Sequence, residues 1–245
     1  MLLFDSPIQL AFIAIVLFVA YFVRGITGFG SALVAVPLLA MTMPITVVVP
    51  IVVLLDYLAS MSHGIKHFHH IQWRDLLPML PFSVLGIVLA LYLMSSLQPG
   101  LLTDALAVFI LIYAVYSLLP LSTPQGSRLW AAPLGTLSGL ISTLFGTGGP
   151  FTVIYLGLRK LEKNAFRGTV ATFFAIDGGL RLIGFSVSGF YNREGLLIAL
   201  TALPIVALGL YAGGHIHTSL TRAGFVRIVA ALLIVSGIAL LSKSG

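Results

Sequence analysis

The chain has 245 residues, of which 59% are apolar, and it carries only 13 Lys or Arg and 7 Asp or Glu, so 8% of positions are charged. Soluble domains run near ~25% charged, which excludes a water-soluble enzyme. The net charge of +6 is spread singly between apolar runs instead of being gathered on one face, which argues against a nucleic-acid partner. The lack of cysteine excludes a disulfide framework, a thiolate nucleophile and any Cys-containing metal site.

Apolar runs of roughly 17–25 residues cross a ~30 Å hydrocarbon core, and the chain reads as an all-α integral membrane protein, a polytopic bundle of about 8–10 such segments. In chain order they cover residues 8–23, 31–43, 45–63, 76–95, 101–119, 130–145, 150–158, 166–188, 195–212 and 224–241. Before the first, residues 1–7 carry Asp5 in place of a basic n-region, and no small-x-small site follows, so this segment is expected to be retained. The second, sixth and seventh runs are short. At ~1.5 Å per residue, residues 31–43 reach only about 20 Å and residues 150–158 less, so spanning and re-entrant placements both stay open for these two.

Both short runs open at glycine clusters, Gly25-Ile26-Thr27-Gly28-Phe29-Gly30-Ser31 and Gly146-Thr147-Gly148-Gly149-Pro150. A shift of 118 places Gly28 on Gly146 and Gly30 on Gly148, and a shift of 121 places Asp56 on Asp177. The chain therefore divides into a first repeat, residues 1–120, a Ser/Thr/Pro/Gln/Gly linker, residues 121–128, and a second repeat, residues 129–245. With the N-terminus outside, the loops assigned to the inner side hold Arg24, Lys66, Arg74, Arg128, Arg159, Lys160, Lys163, Arg167, Arg222 and Arg227, whereas the outer side keeps only Arg193 and Lys243. Cytoplasmic loops collect Lys and Arg, so both termini are expected outside. An odd number of crossings per repeat makes the two halves inverted in topology, as in many secondary transporters.

Non-helical backbone in lipid is tolerated only where protein or a water-filled cavity satisfies it, so the glycine clusters imply a cavity. A helix starting at Gly30 or Pro150 directs unpaired N–H groups, and about half a positive charge, at whatever lies before it, which favours an anion. The expected substrate-binding residues are Gly25, Thr27, Gly28, Gly30 and Ser31 in the first cluster and Thr143, Gly146, Thr147, Gly148, Gly149 and Pro150 in the second, with a small anion held between them. The alternative is that these small residues only let helices pack closely.

Asp56 and Asp177 fall in the middle of apolar segments, where an Asp costs near 3 kcal/mol on insertion scales. Arg181 is one turn past Asp177, the spacing at which side chains meet, so the two are expected to pair, with Arg181 also serving as a cation for substrate. Asp56 has Ser60 at the same offset and no cation there, which makes Asp56 the better proton-coupling candidate of the two acids. The alternative role for both is to hold helices together. His63, His67, His69 and His70 cluster around Lys66 at a helix end and read as interfacial rather than metal-binding, as do His215 and His217; Trp73 and Trp130 beside Arg74 and Arg128 read as interfacial anchors. No P-loop, Rossmann fingerprint or His-Glu-x-x-His motif appears, so no cofactor, no metal and no ATP-driven step is expected.

Arg24-Gly-Ile-Thr-Gly-Phe-Gly-Ser-Ala-Leu-Val-Ala-Val-Pro37, the second copy Ser138-Gly-Leu-Ile-Ser-Thr-Leu-Phe-Gly-Thr-Gly-Gly-Pro150, and Ala165-Phe-Arg-Gly-Thr169 resemble the two repeats of the TauE/SafE sulfite-exporter-like family, also called toluene sulfonate uptake permeases. The resemblance covers nearly the whole chain. It implies a small integral protein of the inner membrane with two homologous halves, moving sulfite, sulfoacetate or another sulfonate. The first repeat departs from it with Gly-Phe-Gly-Ser where a fuller glycine run is usual. The resulting expectation is a proton-coupled secondary transporter with alternating access, its partners being a small anion, the proton and the bilayer. An uncoupled anion channel or uniporter is the alternative, an integral-membrane enzyme lacks a convergent nucleophile or metal set, and a monomer and a homodimer both stay open.

Overall fold

The structure is a computed structural model that describes residues 7–28, 30–62, 71–119, 125–215 and 222–244. His63, Lys66, His67, His69, His70, His217 and Phe29 lie outside those residues, as does the side chain of Thr27. The described chain is helical, with α1 at Pro7–Thr27, α2 at Ser31–Ala40, α3 at Ile45–Ser62, α4 at Trp73–Leu76, α5 at Met79–Ser96 and α6 at Pro99–Leu118. A 3-10 turn at Arg128–Trp130 then leads into α7 at Ala131–Phe145, α8 at Gly149–Leu158, α9 at Lys163–Val187, α10 at Arg193–His215 and α11 at Arg222–Ser244. Five helical stretches are long and apolar enough to cross a membrane, Pro7–Ile26, Trp73–Ser96, Pro99–Leu118, Lys163–Val187 and Arg193–His215. The chain is a polytopic helical membrane protein, and each expected segment has a helix within a few residues of its bounds.

The helix ends follow from local chemistry. Arg24 in the last turn of α1 complements the negative end of that helix. Beyond it, Gly28 and Gly30 take φ of 82° and 93°, conformations that cost an L side chain dearly and glycine little. Gly146 does the same at the end of α7 with φ 73°, and α8 then begins with Pro150 in its first turn, where a missing N–H costs nothing. Each half therefore runs long helix, glycine turn, ten-residue helix. Ten residues rise about 15 Å, half of a hydrocarbon core, so neither α2 nor α8 spans alone.

The chain divides into two compact units, one of Met1–Asp56, Leu97–Pro120 and Tyr191–Gly245, the other of Tyr57–Ser96 and Leu121–Phe190. Compactness thus cuts across the order of the two sequence repeats. In the first unit α1, from the first segment of its half, packs along α10, from the fourth segment of the other half. In the second unit the equivalent pair is α7 with α5. The two halves exchange corresponding helices.

Each exchange is a close backbone crossing that glycine permits. A Cβ on Gly213 would strike the Phe22 carbonyl, and one on Gly25 would lie 2.7 Å from Leu210 O and 2.9 Å from Gly214 N. Between α5 and α7, a Cβ on Gly139 would strike Ser83 O and one on Gly135 would come within 2.9 Å of Met79 O. This is the small-residue packing of membrane helices. Gly25 serves the α1–α10 crossing, where a Cβ would collide with the neighbouring backbone.

Large apolar side chains such as Ile15, Val88, Ile112, Leu200 and Val235 face outward, while Ser31, Ser83, Ser138, Thr143, Thr152 and Asp177 are buried. Within the first unit α2 is covered by α1, α6 and α11, with every residue but Leu38 buried. In the second, Tyr155, Leu156 and Phe173 join Leu76, Met79, Ala131 and Leu134 in one apolar core. Gly139→Leu, which forces a side chain into the Ser83 backbone, is expected to destabilise the protein by at least the ~1–3 kcal/mol of overpacking. Gly100→Ala, whose Cβ meets nothing within 4 Å, is expected to leave the melting temperature in detergent unchanged.

Candidate functional site

In the first unit, the turn between α1 and α2 is built around the Asp56 carboxylate. Tyr21 Oη donates to Asp56 Oδ1 at 2.8 Å, Ser31 Oγ at 2.6 Å, and Arg24 Nη1 lies 2.6 Å from the same oxygen. Arg24 also donates to Ser31 Oγ at 3.0 Å and, through Nη2, to the Asp56 carbonyl at 3.1 Å. Ser31 is the first residue of α2, so the carboxylate sits at the positive end of that helix. One-turn spacing along α3 offers Asp56 no cation. The structure corrects the expectation built on that spacing, because the cation comes from α1, a full helix away.

In the second unit, Asp177 is 1% exposed and pairs with Arg181, whose Nε lies 3.0 Å from Asp177 Oδ2, as the spacing predicts. Asp177 Oδ1 accepts from Ser83 on α5. Arg181 Nη1 donates to the Ser142 carbonyl at 3.2 Å, near the end of α7. The close approach of Arg181 Nε to Asp177 lacks hydrogen-bond alignment, so Nε–H has no acceptor among the described residues. We regard the contact as an ion pair that leaves a donor spare.

The α7–α8 turn supplies more spare donors. Gly146 N donates to Ser142 O at 3.0 Å and Phe151 N to Gly148 O at 3.2 Å, but the N–H groups of Thr147, Gly148 and Gly149 donate to no described residue. Thr143 and Thr147, 0% and 5% exposed, each have a buried hydroxyl without a partner among the described residues. Buried polar groups are otherwise paired almost everywhere. Ser138 Oγ, in contrast, is fully used, bonding Gly148 O at 3.2 Å and Thr152 Oγ1 at 2.8 Å to lock α8 on α7. Gly148 is required by that lock, since its Cβ would meet Ser138 O and lie 2.5 Å from Ser142 Cβ. Gly149 has ordinary room, 3.5 Å from Phe174.

The expected site residues therefore take different duties. Gly28, Gly30 and Gly146 shape turns through positive φ, Gly148 permits close approach, Pro150 lies in the first turn of α8, Thr143 and Thr147 present hydroxyls without a partner among the described residues, and Arg181 pairs with Asp177. Sequence reasoning missed Arg24, Tyr21, Ser83 and Ser142. The repeat itself held a signal: Arg24 aligns with Ser142 at a shift of 118, and Ser60 with Arg181 at a shift of 121. The cation has moved from the first helix in one half to the third in the other, while the acid stays in place.

A separate ionic cluster sits where the linker meets the second unit. Buried Asp75 accepts from Arg128 Nε at 2.8 Å and Arg159 Nε at 3.0 Å, and Arg159 also bonds the Gly126 carbonyl. The hydrogen bond to Asp75 raises the Arg128 pKa further, so Arg128 stays charged at any physiological pH. Among the described residues no group of three or more His, Asp or Glu is placed to hold a metal.

Residues 13–240 match the family model described as sulfite exporter TauE/SafE. The chain belongs to this family. It is 28% identical over 195 residues, 78% of this chain and 81% of the relative, to "Probable inner membrane transporter protein TsaS" of Comamonas testosteroni. It is 23% identical over 227 residues, 88% of this chain and 87% of the relative, to "Probable sulfite/organosulfonate exporter TauE" of Cupriavidus necator. No solved structure gives a significant match. As a member of the TauE/SafE family the chain is a membrane transporter and not an enzyme.

Removing one member of a buried ion pair strands the other, at a cost of about 3–5 kcal/mol. Arg181→Ala, which leaves nearly inaccessible Asp177 uncompensated, is expected to lower the melting temperature in detergent more than Asp177→Asn combined with Arg181→Gln. Equal losses in the two would mean that the pair is not what holds α9.

Proposed function

We propose that this chain is a secondary transporter of the inner membrane that moves a small sulfur-containing anion, sulfite, sulfoacetate or another sulfonate. The observation that carries the reading is the set of buried donors without acceptors at the α7–α8 turn. Among the described residues the Thr143 and Thr147 hydroxyls lack partners and Arg181 Nε, ion-paired with Asp177, lacks an aligned acceptor, Thr143 and Thr147 lying just before the N-terminal end of a ten-residue helix. An unmet buried donor costs about 1–3 kcal/mol, and an oxyanion meets several at once while the helix end favours its charge. The names of the two relatives support an inner-membrane location and a sulfite or organosulfonate substrate.

Coupling to protons runs through Asp56, with Asp177 as the second acid. Protonating Asp56 removes the negative charge on which Tyr21, Ser31 and Arg24 converge and leaves Arg24 uncompensated, so the proton changes what an anion encounters in that unit. Alternating access follows from two inverted halves, with both termini on the outer side. The exchange of corresponding helices between the halves supports a repeat of that kind.

Two measurements test the reading. Thr143→Val and Thr147→Val are each expected to weaken sulfite or sulfonate binding to purified protein about tenfold, the ~1.4 kcal/mol of a lost hydrogen bond to a charged group. Thr201→Val, whose hydroxyl is exposed and bonds its own helix, is expected to bind as the wild type does. Unchanged affinity in both site variants would sink the site. In proteoliposomes, saturable uptake is expected to respond to an imposed pH gradient in wild type and to lose that response in Asp56→Asn. Non-saturating flux that tracks membrane potential in both proteins would establish the channel instead.

A further inference from the structure

The two glycine turns are equivalent in sequence, yet their polar groups are used in opposite ways. Beside the α7–α8 turn the equivalent acid, Asp177, has its oxygens committed to Ser83 and Arg181, while the Thr143 and Thr147 hydroxyls go unmet among the described residues. At the α1–α2 turn Asp56 enters the equivalent place, and three donors converge on its Oδ1: the Tyr21 hydroxyl, the Ser31 hydroxyl on the first residue of α2, and the Arg24 guanidinium. That set of a guanidinium, two hydroxyls and a helix N-terminus is what an oxyanion site consists of. Here it already holds a carboxylate.

We propose that Asp56 is a tethered ligand: its carboxylate fills, in the first unit, the anion slot that the second unit leaves open, so each chain takes one exchangeable anion, at the α7–α8 turn. The open slot rests on the functional reading above, whereas the filled slot rests only on the geometry around Asp56. The asymmetry has a consequence for charge. While Asp56 is ionised, Arg24 is neutralised from within the chain, and the substrate charge is met in the second unit alone. The slot left by removing the side chain would accept a free monocarboxylate of matching size. Asp56→Ala leaves a space suited to formate, and Asp56→Gly one suited to acetate.

The test is the thermal stability of purified full-length protein in detergent at constant ionic strength, with formate, acetate or chloride. Both variants are expected to be destabilised in chloride and restored saturably by carboxylate, formate acting better on Asp56→Ala and acetate better on Asp56→Gly. Adding Arg24→Gln is expected to abolish the rescue, and wild type should show none. If a variant cannot be purified in chloride, purification in its matched carboxylate reads the same rescue. Failure of both carboxylates on both variants, or equal stabilisation of wild type, overturns the tethered ligand. Sulfite titration of wild type gives the second arm. About one sulfite per chain, lost in Thr143→Val combined with Thr147→Val, is expected; two per chain overturns the filled slot. Rescue together with no sulfite binding to wild type would retain the filled slot and remove the functional reading, whereas one sulfite without rescue would do the reverse.

Discussion

A carboxylate inside a hydrocarbon layer has to be neutralised by the protein itself, and most of the polar architecture of this chain is organised by that requirement. Asp56 and Asp177 each cost about 3 kcal/mol at mid-segment on insertion scales, and each is met by a guanidinium and by hydroxyls within its own unit. The solutions are not copies. In the first unit the cation belongs to the long helix before the glycine turn; in the second it belongs to the helix that carries the acid. What is common to both is the place where the pair is needed, beside a turn where the backbone leaves helical geometry and a short helix begins.

That turn is tolerated in lipid only because the surrounding helices approach closely enough to enclose it. Glycines at the α1–α10 and α5–α7 crossings bring backbones together where any Cβ would collide, and Ser138 ties α8 to α7 through Gly148 and Thr152. Large apolar side chains both fill the interior and cover the outer faces, whereas Ser31, Ser83, Ser138, Thr143 and Thr152 are buried. The second unit keeps buried donors without acceptors inside that enclosure. In a low-dielectric interior such groups are costly, and under the proposed function an anion at the turn offsets that cost.

Several features were legible in the sequence. Ten apolar runs predicted the helices to within a few residues, because an apolar stretch in lipid has no other way to satisfy its backbone. The short runs at residues 31–43 and 150–158 did become ten-residue helices behind glycine turns, and the Asp177–Arg181 pair followed from one-turn spacing. Arg24 with Asp56 was not legible in the same way, since 32 positions and two intervening turns separate them. For Gly25, expected in a ligand loop, the passage of α10 beside it adds a packing duty that no local pattern shows. Asp75 joins the linker to the end of α8 through two arginines, a contact between distant segments that no local pattern shows.

The amino-acid sequence by itself determined the medium, the approximate bounds of the apolar helices and the sites of the glycine turns, because these depend on local composition and on backbone geometry within a few residues. It also placed the acids and cations that the membrane makes expensive. Tertiary structure alone decided which cation neutralises which acid, which glycines serve a crossing and which a turn, and which turn keeps its donors free. Those outcomes depend on helices far apart in the chain meeting at distances of a few ångströms, and no periodicity within a segment encodes them.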